Sequence, residues 1–207
     1  MINRVLPRSC ICVRRYNAFT LIELIVVVGI IAILSALVLS TVGYARKKGA
    51  RARAETEIAA ISAAIENYKA DNGVYVRGPA TSIMVGSTTI AANATDNLNA
   101  RTDGNPTSPS YGQTSLYLYT QLSGDSTGIQ QATGKTYFAF KPQMLSTDSN
   151  GVVTALKDPF GNSYGYSTAN QANPAQGYNP TFDLWTTFAL TNSPPGAADQ
   201  NQWIKNW

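Results

Sequence analysis

The chain has 207 residues, with 16 basic and 12 acidic side chains, two cysteines and no histidine. The lack of histidine removes the commonest general base and zinc ligand, and with it most catalytic triads and zinc sites. The formal charge of +4 is local. Arg4, Arg8, Arg14 and Arg15 supply all of it, and from residue 54 onward acids outnumber bases, a balance that leaves no nucleic-acid footprint.

Residues 1–18 read as a short basic leader. Both cysteines, Cys10 and Cys12, lie in it, so no disulfide can staple the rest. Residues 19–45 then read FTLIELIVVVGIIAILSALVLSTVGYA, with Glu23 the one charge. At roughly 1.5 Å per residue, the uncharged run from Leu24 to Ala45 matches a ~30 Å hydrocarbon core. A carboxylate in such a segment is costly and needs a reason.

Three fates compete for this segment. It could be discarded as a signal peptide by a cut after Ala45, kept as an uncleaved anchor, or kept after a cut before Phe19. Four arginines precede it, and Arg46, Lys47, Lys48, Arg51 and Arg53 follow it, so charge alone does not orient it. Gly29, Ser35, Ser40, Thr41 and Gly43 suit close helix–helix approach. Ser40, Thr41 and Gly43 also suit a stretch able to unwind when its surroundings change.

Beyond the span the helical pattern continues. Ala54, Ile58, Ile61, Ile65 and Tyr68 recur at alternating spacings of three and four, a single apolar stripe among strong helix formers. Asp71, Asn72 and Gly73 supply the stop, with Gly73 suited to a left-handed position. Residues 77–113 are rich in small and polar side chains and read as a long surface excursion with a short strand at 82–85. Residues 116–122 (LYLYTQL) read as a short helix ended at Gly124.

Four aromatic or β-branched runs then read as strands: 136–141 (TYFAFK), 152–156, 163–167 (SYGYS) and 182–190 (FDLWTTFAL). The turn at 158–162 (DPFGN) separates two of them. Trp203 and Trp207 are placed to dock the tail on the sheet. The order predicts an α+β fold, with one long N-terminal helix packed through its stripe on a small antiparallel sheet.

The stretch AFTLIEL at 18–24, preceded by Arg14 and Arg15 and followed by the apolar run, resembles the processing site of type IV pilins and type II secretion pseudopilins. The resemblance extends over residues 14–73. It implies that the leader, held on the cytoplasmic face by Arg14 and Arg15, is cut off between Ala18 and Phe19 by a prepilin peptidase. The family usually has glycine where this chain has Ala18. The same enzyme would then methylate the amino group of Phe19, and Glu23 would pair with the Phe19 ammonium of a neighbouring subunit. The helix dipole favours an anion at that first turn.

The implied layout is a leader at 1–18, a membrane or filament-core helix at 19–45, an amphipathic continuation at 46–73 and a pilin-like α+β domain at 74–207. That domain would lie outside the cytoplasm. The partners implied are further copies in a homo-oligomeric filament, minor pseudopilins, the peptidase/methylase, and an inner-membrane platform with its ATPase. No nucleotide motif occurs in the chain itself. Family members commonly carry proline in the second half of the span, where this chain has Leu39, Ser40 and Thr41.

Shorter stretches resemble the major pseudopilin of type II secretion: NGVY at 72–75, DPFGNSY at 158–164, FDLW at 182–185 and WIKNW at 203–207. That subfamily often binds calcium after its last strand. Here residues 192–199 offer one carboxylate, Asp199, to a hard cation that wants six or more oxygens. No metal or other cofactor is therefore expected. A pilin for adhesion, motility or DNA uptake is the nearest rival. A membrane-anchored glycan-binding or enzymatic domain is a rival of another class. In that case Tyr164, Tyr166, Tyr178, Trp185 and Trp203 would stack on sugars, and Asp158 with Asp183 would form a carboxylate pair. Aromatics in strands are more often core, and an aspartate before proline is commonly a cap.

Overall fold

The computed structural model describes residues 19–188 and 197–207, without the side chains of 39–41, 197 and 198. Arg14, Arg15, Ala18 and the two cysteines lie outside the described residues, as do residues 192–196 of the segment considered for calcium. The backbone is helical from Leu21 to Asn72 (α1). The chain divides at Ala45 into two compact units, each taken by itself.

In the first unit no described residue packs a layer on α1. Its large apolar side chains from Leu21 to Val38 are all at least half exposed. Such a helix wants lipid or neighbours on every side. α1 is long and apolar enough to cross a membrane.

In the second unit the predicted stripe is the buried face of α1. Ala54, Ile58, Ile61 and Ile65 are buried and Tyr68 is half-buried, with Ala64 added to the same face. Beside this stripe Arg51 pairs with Glu55 (3.2 Å) and Arg53 with Glu57 (2.6 Å), the favourable i,i+4 spacing. Glu57 also accepts the Tyr164 hydroxyl (2.7 Å), tying the helix to the strands. The stop is as predicted. Gly73 takes φ 76° and its N–H donates to Lys69 O at 2.8 Å, a left-handed cap.

The predicted excursion at 77–113 is instead part of the core. β1 (Ile83–Val85) and β2 (Thr88–Ile90) form a hairpin whose two-residue turn begins at Gly86, φ 56°. After it come α2 (Ala94–Asn97) and then α3 (Pro109–Ser123). Val85, Ile90, Ala94, Leu98, Ala100 and Tyr111 are all buried. Few large apolar residues suffice here because buried polar groups satisfy one another. Thr95 Oγ1 accepts the Gly78 N–H (2.6 Å), and the Thr168 hydroxyl reaches Thr95 and Asp96 (both 2.7 Å).

Gly124 closes α3 at φ 74°, as predicted, but the helix begins seven residues before the LYLYTQL run, with proline in its first turn. Residues 136–141 are not a strand. The N–H groups of Tyr137 and Phe138 both go to Leu122 O at the end of α3 (2.7 and 3.0 Å), so these two donors are lost to a ladder there. The aromatic side chains still pack, Phe138 on Phe140 (4.7 Å) and Phe140 on Tyr119 (5.4 Å).

Residues Pro142–Met144 make one 3-10 turn. β3 (Leu145–Thr147) then pairs with β4 (Val153–Leu156). β5 (Gly165–Ser167) pairs with β6 (Asp183–Thr186), with α4 (Ala169–Ala172) between them. After α5 (Ala197–Gln200), β7 (Ile204–Lys205) adds to the other edge of β6. In place of the single sheet expected, the described residues form three small ones of two, two and three strands, all antiparallel. The fold class is α+β, as predicted, and the tail docks as expected, with Trp203 stacked on Trp185 (6.1 Å, 11°).

One loop depends on a single charge. Asp125, 1% exposed, accepts the N–H groups of Thr127, Gly128 and Gln130 (3.0, 2.9 and 2.7 Å). It also accepts the hydroxyls of Thr127 and Tyr119, both at 2.9 Å. Burial works against its charge, but these bonds outweigh burial and hold the carboxyl below its ordinary value. The stability it confers is therefore present above the unfolded value near ~3.9 and lost as pH falls through the folded one. Asp125→Ala is expected to cost about 3 kcal/mol at neutral pH. Asp125→Asn should flatten the acid limb of the urea midpoint below about pH 4.

Candidate functional site

The first turn of α1 is organised by its own residues. The Thr20 N–H and hydroxyl both donate to Glu23 Oε2, at 2.9 and 2.7 Å. The Glu23 N–H points back to Thr20 Oγ1 at 3.4 Å. This is a reciprocal capping box, with threonine at the N-cap and glutamate three residues on. The sequence reading placed Glu23 correctly at the positive end of the helix but missed Thr20. The signal was visible, since T-x-x-E immediately before an apolar run is the capping-box pattern.

Thr20 N remains an amide whether or not the chain is cut between Ala18 and Phe19, so the box survives such a cut. Phe19, 81% exposed, precedes the N-cap directly. It lines one shallow groove together with Ile22, Glu23, Val26 and Val27. The carboxylate thus keeps local donors while lying among apolar side chains that no other described residue covers. An opposite charge brought to that groove would meet a carboxyl group already held in place.

Gly29 and Gly43 are open positions at which an added Cβ would meet nothing within 4 Å. α1 runs without a break across Ser40, Thr41 and Gly43. Thr20→Val should therefore loosen only the first turn. Amide hydrogen exchange at residues 21–24 is expected to quicken roughly fivefold, while Thr20→Ser keeps the protection.

The residues considered for enzymatic or glycan-binding roles are occupied structurally. Asp158 Oδ1 accepts the N–H groups of Phe160 (2.9 Å) and Asn162 (2.8 Å), and its other oxygen accepts the Thr186 hydroxyl. Asp183 accepts the N–H groups of Tyr178 and Asn179, both at 2.8 Å. Burial raises both carboxyls, with these bonds pulling the other way. Each aspartate anchors a turn. Tyr164, Tyr166, Trp185 and Trp203 are buried and offer no face to a sugar. Tyr178 stacks on Trp207 (4.7 Å, 11°). Among the described residues no group of three or more acidic or cysteine side chains could hold a metal ion.

Residues 13–39 match the family model described as the prokaryotic N-terminal methylation motif. Neither the curated proteins nor the solved structures gave a match to the chain.

Proposed function

We propose that this chain, which carries a prokaryotic N-terminal methylation motif, is a structural subunit of a type II secretion pseudopilus. The motif itself supports a type IV pilin-like family, whose members are filament subunits rather than enzymes and are processed by a prepilin peptidase. The observation that carries the proposal is Glu23, held by Thr20 at the start of a helix with no packing layer, inside the matched segment.

In this reading the leader is removed between Ala18 and Phe19 and the new amino group is methylated. The subunit waits in the bacterial inner membrane with its α+β domain outside the cytoplasm. Entry into the filament replaces lipid around α1 with other copies of α1. The Phe19 ammonium of one subunit meets Glu23 of the next, so each added copy satisfies two charges that apolar surroundings would otherwise leave unpaired. Lateral packing of apolar side chains supplies most of the association energy, and the charge pair fixes the step. Any local unwinding during assembly rests on Ser40, Thr41 and Gly43. Minor pseudopilins, an inner-membrane platform and its ATPase complete the machine.

The short stretches resembling the major pseudopilin and the absence of cysteine beyond residue 12 favour secretion over a surface pilus. Deleting the gene is expected to stop release of exported proteins into the medium and to leave surface motility intact. Lost motility with normal secretion would reassign the chain to a pilus.

A further inference from the structure

We infer that Arg46, Lys47 and Lys48 form a cationic collar that binds anionic phospholipid headgroups at the end of the apolar segment. The inference rests on the membrane-anchored reading of residues 19–45. The chain carries no charge from Leu24 to Ala45 and then three cations in succession. All three are exposed, and none has an acidic partner among the described residues. The next two cations differ: Arg51 and Arg53 are held by Glu55 and Glu57 one turn on.

Geometry distinguishes the partner. Successive residues on a helix point about 100° apart, so three in a row spread over roughly 200° of the circumference instead of lining one face. A protein partner docks on one side and is served by a stripe. Cations pointing to more than half of the circumference suit a phase that surrounds the helix, and the headgroup layer is such a phase. The three residues rise by only ~3 Å along the axis, within a headgroup layer of roughly 5–7 Å per leaflet. Their long stems let the charged heads reach the phosphates from any point in that layer. The nearest acid along the chain after the span is Glu55. At about 10 Å beyond Lys48 it lies near one Debye length and does not cancel the collar.

The test uses the full chain reconstituted in phosphatidylcholine vesicles containing a minority of phosphatidylglycerol, with spin-labelled lipids of both kinds as probes. Labelled phosphatidylglycerol is expected to associate with the protein at least roughly fivefold in preference to phosphatidylcholine, an effect that falls with added salt. The Arg46→Gln/Lys47→Gln/Lys48→Gln variant should show a clearly smaller preference than the parent, with the leader arginines supplying what is left, and Arg51→Gln/Arg53→Gln should keep the parent's value. The leader arginines are common to all three chains, so the difference isolates the collar. Equal association of both lipids with the parent chain, or a preference undiminished in the triple variant, overturns the inference. So does a triple variant that changes only self-association, which would assign the collar to an acidic face of a second copy. A chain that alkaline carbonate washes off the vesicles overturns the membrane-anchored reading as well.

Discussion

Replacing Glu23 with alanine is expected to leave the protein in the membrane and to cut its incorporation into filaments by on the order of a hundredfold. An unpaired ammonium at Phe19 would then have to enter the apolar filament core, the arrangement that costs most when one partner of a buried pair is removed. The proposal adds a pairing duty to the cap that Glu23 forms with Thr20, and a second substitution separates the two. Glutamine keeps the side-chain length and can still accept from Thr20, so Glu23→Gln preserves the capping box and removes only the charge. Filaments sheared from cells and quantified against the membrane fraction should be as depleted for glutamine as for alanine. Normal filaments from Glu23→Gln would end the registry argument and leave the carboxylate a cap alone.

The second large effect belongs to the α+β domain. Gly165→Ala is expected to destabilise it by about 3 kcal/mol or more, which lowers Tm by roughly 10 °C in a domain of this size. Gly165 faces Trp185 across the β5–β6 ladder. A Cβ there would sit 2.3 Å from Trp185 Cε2 and 2.5 Å from Cζ2. The indole has nowhere to go: it is fully buried, its Nε1 donates to the Tyr111 hydroxyl (2.9 Å), and Trp203 stacks on it. Thermal unfolding followed by near-ultraviolet circular dichroism reads both the Tm and the tryptophan environment. A Tm within a few degrees of the parent would mean that the β5–β6 contact is looser than described.

That glycine illustrates what the sequence could show. SYGYS announced a strand by its aromatics, while the glycine inside it, a usual sign of close approach, drew no inference. The long helix was legible because Ile58, Ile61 and Ile65 repeat at helical spacing and Gly73 stops it. The region around Thr95 and Tyr111 was not, because its burial rests on hydroxyl and amide networks that hydrophobic periodicity does not register. β7 is two residues long and exists through its partner β6, so no local pattern could announce it. Tyr137, Phe138 and Phe140 carried the strand pattern, but a tertiary acceptor, Leu122 O, claimed the backbone donors of the first two. At the candidate site the carboxylate stood out against an apolar background. The role of Thr20 needed the two residues seen facing each other across the first turn.

The central claim is that Phe19 becomes the N-terminus and that the apolar helix is kept. Mass spectrometry of the N-terminal peptide of the mature protein, taken from its own cells, tests it most directly. The expected result is a chain beginning at Phe19 and carrying an N-methyl group. A chain beginning at Arg46 would show that the helix is discarded as a signal peptide, and one retaining Met1 would show an uncleaved anchor; either contradicts the account.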